Sequence, residues 1–273
     1  MEKKIVGIGV LAGLVSGLAA FGFARLWEAP VIGRAIEYEE RRSAAEAALT
    51  GEHAHEHEVF SRALQENVGA GIGTIVFAIA MGALFAVAFI VATTHLNRRH
   101  LTADLRSTAM ALAGAGFLSM SLVPFIIYPA NPPGVGLAET ISDRTGAYLL
   151  ALGISVGFAI VAAAVALRLT PRIGGWTATA VGSVGYLAAV GLTSAVLPDF
   201  DETPGALTDA GGNVVFPGFP ADVLADFRMY SIGTQAVLWL VLGASFAVLI
   251  SRATTSTSVA QSVDPMGAVH AGR

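Results

Sequence analysis

The 273-residue sequence has no cysteine, which excludes disulfides, thiolate-bound zinc or iron–sulfur centres and thiol catalysis. Charge is scarce as well. Asp, Glu, Lys and Arg make up 13% of the chain against 54% apolar residues, and that charged share is about half the usual one. There is no His-Glu-x-x-His and no phosphate-cradling Gly-x-x-x-x-Gly-Lys, so neither zinc hydrolysis nor nucleotide cleavage is signalled. No enzyme activity, no permanently bound cofactor and no nucleic-acid partner is expected.

What fills the chain instead is hydrocarbon. Runs of roughly 20 uncharged residues recur, the length a helix needs to cross a ~30 Å apolar core. In lipid the backbone must satisfy its own hydrogen bonds, so such runs read as helices. Six spans are predicted, at about 5–26, 68–94, 107–128, 146–169, 176–197 and 230–250, giving an all-α polytopic membrane protein. They form a single membrane domain over 1–250, and the Ser/Thr-rich tail 251–273 reads as disordered. The first run follows Lys3 and Lys4 as a signal peptide would, but it is long enough to span and lacks a clear small-x-small cleavage site, so it reads as a retained helix. Gly9, Gly13 and Gly17 recur every four residues, and Gly69/Gly73 and Gly153/Gly157 repeat that spacing; such faces let helices approach closely.

Between the first two spans lies the outer loop 27–67, and 28–66 holds nine of the twenty carboxylates and three of the six histidines. Pro30 suits the first residue of a new helix. Val31, Ile32, Ala35 and Ile36 make an apolar stripe and Gly51 a stop, so this segment reads as an amphipathic helix on the membrane surface or capping the bundle. Pro124 is expected to kink the third span. Three prolines in Tyr128-Pro129-Ala130-Asn131-Pro132-Pro133 forbid helix and fix an extended exit, leaving carbonyls and the Asn131 amide to line a funnel or merely to end the helix.

Six spans put both termini on one side. Counting helix ends, that side carries nine Lys/Arg and three acids, the other seven Arg and seventeen acids. Basic residues in short loops set orientation, so the loops 95–106 and 170–175 and both termini are expected in the cytoplasm, with the acidic loops outward. Arg62, Arg144 and Arg228 each precede an even-numbered span. There an arginine opposes the helix dipole, so each is expected either to pair with a loop carboxylate or to snorkel to water.

The most informative motif is Glu52-His53-Ala54-His55-Glu56-His57-Glu58. Imidazole and carboxylate together suit divalent Co, Ni, Cu or Zn. An extended segment sets His53, His55 and His57 on one face and Glu56 and Glu58 on the other; a helix pairs His53 with His57. Either arrangement can hold an ion, and the motif alone does not name it; a solvated loop with incidental histidines is the plainer alternative. No charge lies well inside any span. Ser119, Ser121, Thr234 and Gln235, with Met110 and Met120 as soft donors, are the intramembrane polar groups, as packing residues or as ligands.

Taken in order, Phe23-Ala24-Arg25, Glu28-Ala29-Pro30, Arg34-Ala35-Ile36-Glu37, the histidine–glutamate tract, Val123-Pro124-Phe125, the Tyr128–Pro133 segment, Glu139-Thr140-Ile141, Gly218-Phe219-Pro220-Ala221-Asp222, Phe227-Arg228 and Gly233-Thr234-Gln235 resemble the CbtA family of predicted cobalt transporter subunits. The likeness covers roughly 5–250, and 203–215 reads as an insert with a turn at Asp209-Ala210-Gly211-Gly212-Asn213. The resemblance implies a multi-pass protein of the bacterial cytoplasmic membrane, tied to cobalt uptake for cobalamin synthesis. It also implies, as a partner, a small single-span His-bearing subunit; membrane lipid and further copies of the chain complete the expected partners. On this reading His53, His55, His57, Glu56 and Glu58 capture the metal, Co2+ foremost. Glu28, Glu37, Tyr128, Asn131 and Gln235 lie towards the pore mouth. The alternative is a non-transporting accessory or metal-sensing membrane protein.

Overall fold

The computed structural model describes residues 2–51, 69–99 and 104–263, with the backbone alone at 70 and 255–263. Helix carries nearly all of it. Five helical stretches are long and apolar enough to cross a membrane: Glu2–Thr50, Gly71–Arg98, Leu105–Ile127, Ala138–Ile173 and Ala221–Thr254. A further helix, Gly175–Ser194, has 20 residues and no charge, enough to span ~30 Å. The chain is thus an all-α polytopic membrane protein. It divides into two compact units.

One unit comprises 1–22, 63–114 and 236–273. It contains α1 (Glu2–Phe23), α3 (Ala70–Arg98) and α4 (Leu105–Gly116), together with the later part of α8 (Ala221–Val263). The close approach signalled by Gly9, Gly13 and Gly17 is real, but its partner is Gly82 with Ala78. A Cβ on Gly9 or on Gly82 would run into the other's carbonyl oxygen, and one on Gly13 into that of Ala78. Gly73 has open space at its Cβ position among the described residues, so the Gly69/Gly73 spacing is not the contact. Phe246 is fully buried and meets Phe85 at 5.1 Å and Phe89 at 4.9 Å between ring centroids, edge to face, the favoured aromatic arrangement. Asp104 caps α4: its Oδ2 accepts the Ser107 amide at 2.9 Å and the Ser107 hydroxyl at 3.1 Å. Those bonds, the amide first, hold its carboxyl below the ordinary value.

The other unit comprises 23–62 and 115–235. It contains α2 (Ala29–Thr50), α5 (Val123–Ile127), α6 (Ile141–Ile173), α7 (Gly175–Ser194) and the start of α8. The sequence predicts a fresh helix after Trp27; instead the chain continues through a π-helical turn, Ala24–Glu28, directly into α2. The same device recurs at Phe117–Leu122, ahead of α5. Each wide turn ends two residues before a proline, Pro30 and Pro124. In π register a carbonyl takes the amide five residues on, as Ala24 does from Ala29 and Leu118 from Val123. The residues at the fourth place are Glu28 and Leu122, so the wider register opens just ahead of each proline, which has no amide to offer and clashes with the carbonyl four residues back. Pro124, expected to kink the span, thus follows directly on a π-helical turn, itself a cause of helix bending.

The stripe on α2 is covered by protein. Val31, Ala35 and Tyr38 are buried with Val135, Phe219, Val223 and Phe227. Tyr38 donates its hydroxyl to the Pro217 carbonyl at 3.1 Å. Gly51, at φ 73°, ends the helix as expected. A short hairpin, β1 (Leu207–Thr208) and β2 (Val214–Phe216), holds the insert. Asp209 Oδ1 accepts the amides of Gly211 at 2.8 Å and Asn213 at 2.9 Å, forming the turn read from the sequence. α6 and α7 fold back on each other through Gly174 at φ 81°. A Cβ on Gly182 would press on the Ala162 carbonyl at 2.9 Å, whereas Gly153 and Gly157 meet nothing within 4 Å, so their spacing marks no contact among the described residues. The last helix continues to Val263, past the predicted end at Ile250 and into the segment read as disordered; 264–273 lie outside the described residues.

Candidate functional site

The histidine tract, with His53, His55, His57, Glu56 and Glu58, lies outside the described residues, as does Arg62. Among the described residues no group of three or more His, Cys, Asp or Glu comes together. What the structure does assemble is a set of oxygen groups around Glu28.

Glu28 is the last residue of the first π-helical turn and is half-buried. Ser231 and Thr234 sit three residues apart on α8, the spacing that puts two side chains on one face. The Ser231 hydroxyl donates to Glu28 Oε1 at 2.8 Å and the Thr234 hydroxyl to Oε2 at 2.9 Å. Thr234 Oγ1 also lies 3.0 Å from the Tyr230 carbonyl. It has one proton for two acceptors, and the charged one takes it more strongly. Gln235 follows, and its Oε1 accepts from Ser121 Oγ at 3.4 Å; Ser121 is buried in the second π-helical turn. Ser231 and Thr234 begin the charge-free run 229–251.

Arg228, one turn earlier on α8, is turned to the proline segment. Its Nη2 donates to Asn131 Oδ1 at 3.0 Å and its Nε to the Ala130 carbonyl at 3.4 Å. The groups expected to line a funnel are therefore engaged by an arginine, and among the described residues Arg228 pairs with neutral oxygens instead of a carboxylate. Arg144 does meet one: its Nε lies 3.4 Å from Glu202 Oε2. Tyr128 donates its hydroxyl to the Pro198 carbonyl at 2.7 Å. Burial, and then the neighbouring Asp199 carboxylate, hold that phenol above its ordinary value. Beside it runs a groove of about 560 Å³ walled mainly by apolar side chains of α5 and α7. Glu37 is elsewhere, exposed on α2 and 3.8 Å from Arg41. Of the residues expected near a pore mouth, Glu28 and Gln235 flank the same turn of α8, and Asn131 is tied to that helix through Arg228. Tyr128 and Glu37 make separate contacts.

Ser231, Ser155 and Tyr186 were not singled out from the sequence. Ser231 carried a signal in its spacing to Thr234. Gly153-Ile154-Ser155-Val156-Gly157 matches Gly-x-Ser-x-Gly, but Ser155 lies in mid-helix, not on the strand-to-helix elbow that pattern serves. It is 1% exposed, and its hydroxyl lies 2.8 Å from the Ser119 carbonyl and 2.7 Å from the Tyr186 hydroxyl, with no histidine in the contact. The pairing joins three helices and leaves no trace in any one of them.

Spans of this length with polar groups gathered at the end of a charge-free run define a multi-pass membrane protein with an oxygen-lined polar site. The family model for CbtA, described as the probable cobalt transporter subunit, matches residues 2–251, and the chain belongs to that family. No curated protein and no solved structure matches it.

Proposed function

We propose that the chain is the membrane-spanning subunit of an uptake system for a divalent transition metal, with cobalt as cargo and the histidine–glutamate tract as its outward capture loop. The observation that carries this reading is the match to a family of probable cobalt transporter subunits over 2–251, on a chain whose loop 28–66 concentrates nine carboxylates and three histidines. Such a loop raises the local concentration of cations and offers imidazole to those that bind nitrogen. The excess of Lys and Arg in the short loops supports a bacterial cytoplasmic-membrane protein with both termini inside. A family described as a subunit implies a partner; a small single-span chain with histidines of its own fits that role.

Replacing His53, His55 and His57 together by alanine should lower cobalt uptake severalfold when cobalt is limiting and leave it little changed at saturation. Uptake unchanged at limiting cobalt removes the tract from the mechanism. Flux through the purified protein in proteoliposomes, with and without the partner, separates a conducting subunit from an accessory or sensing one.

A further inference from the structure

We infer that Glu28, Ser231 and Thr234 form a cation-binding station of their own, built from oxygen alone, which takes a partly hydrated divalent cation beyond the capture loop. The inference rests on reading the chain as a cation carrier, but the station is defined by described residues and does not depend on the histidines.

Three features distinguish this arrangement from a packing contact. The first is charge. Among the described residues no Lys, Arg or His forms an ion pair with Glu28, and Arg228, the nearest cation along α8, is bound to Asn131 and Ala130. A carboxylate facing the start of a charge-free run is costly without a counter-charge, and a bound cation supplies one. The second is valence. An ionised carboxylate has about four acceptor positions, and two hydroxyls occupy one on each oxygen, which leaves lone pairs on both. The third is an alternative place for a proton. When a cation draws on Thr234 Oγ1, its proton can turn to the Tyr230 carbonyl at 3.0 Å, and the oxygen offers a lone pair without losing a hydrogen bond.

The donor set defines the ligand class. Carboxylate and hydroxyl oxygens, with neither nitrogen nor sulfur among them, suit Mg2+, Mn2+ or a cation keeping several of its waters. An imidazole tract prefers nitrogen-seeking ions; an oxygen station releases them more readily. Capture and release then fall to different chemistries.

The test is Mn2+ binding, followed by its electron paramagnetic resonance, to the full chain in neutral phosphatidylcholine nanodiscs with His53, His55 and His57 already replaced by alanine. One Mn2+ site should remain in that background and Co2+ should compete for it. Glu28→Gln, which keeps the shape and removes the charge, should weaken it by about tenfold, since ligand charge tunes such sites. Thr234→Val and Ser231→Ala should each weaken it by about threefold, the loss of one modest polar contact; they stand as the test if Glu28→Gln does not fold. No Mn2+ site in the histidine-free background, or one indifferent to these changes, overturns the inference. Failure here leaves the capture loop untouched, because that is read from cobalt uptake by the histidine variant alone.

Discussion

Glu202 joins a loop to the start of a helix through one carboxylate. Its Oε2 accepts the Leu137 amide at 2.7 Å and faces Arg144 Nε at 3.4 Å, while Arg144 Nη2 donates to the Leu137 carbonyl at 3.1 Å. Gly136, at φ 113°, lets the guanidinium lie where a Cβ would otherwise be. The Thr140 hydroxyl, then the Leu137 amide and more weakly Arg144, hold this carboxyl below its ordinary value. A depressed pKa means stability that is fully present above the unfolded carboxylate value and is lost as pH falls through the folded one. The thermal midpoint in detergent should therefore drop on acidification across that window. Glu202→Gln should lower it at neutral pH and flatten the slope; an unchanged slope would show that Glu202 contributes nothing to it. A carboxylate partner for Arg144 could be read from the sequence, because a cation at a helix start calls for one. That Arg228 would take a carbonyl and an amide instead could not, since its partners lie 97 and 98 residues away.

Helix pairing is where spacing in the sequence was informative and incomplete. The repeat at Gly9, Gly13 and Gly17 marked a true seam, because only a small residue lets two backbones come that near. Periodicity names a face but not what covers it, so the spacing of Gly69/Gly73 and Gly153/Gly157 does not differ from that of the true seam, and Gly82, which repeats at no such interval, gives no local sign of its contact. Gly82→Ala should destabilise the fold by about 1–3 kcal/mol through overpacking, whereas Gly73→Ala, open at its Cβ position, should be neutral or slightly stabilising. Unfolding in mixed micelles measures both, and equal effects would contradict the seam. The spans themselves were legible from hydrocarbon length alone. The π-helical turns were not, although a proline inside an apolar run is a cue that the hydrogen-bond ladder must give way nearby. The amphipathic stripe of α2 was legible too; its cover came from Val135, Phe219, Val223 and Phe227, far along the chain, where no local pattern reaches.

At the level of the whole chain, orientation is the property everything else depends on, and the lack of cysteine makes it directly measurable. A single cysteine at Ala54 should react with an impermeant maleimide in intact cells, and one at Ala268 only after the membrane is opened. The reverse pattern would place the histidines in the cytosol, away from any external metal. The two wide turns have a different consequence. Each holds the chain one residue out of step with an ordinary helix, and a residue in a helix is worth about 100° of rotation. Losing a single amino acid within Ala24–Glu28 would restore the tighter winding and leave α2 facing nearly as before, whereas losing one beyond the turn would swing every later side chain of α2 by that angle, taking Tyr38 from Pro217 and Arg34 from Asp222 and Asp226. A change of length by one codon is thus a lesion this short stretch can absorb and the rest of α2 cannot.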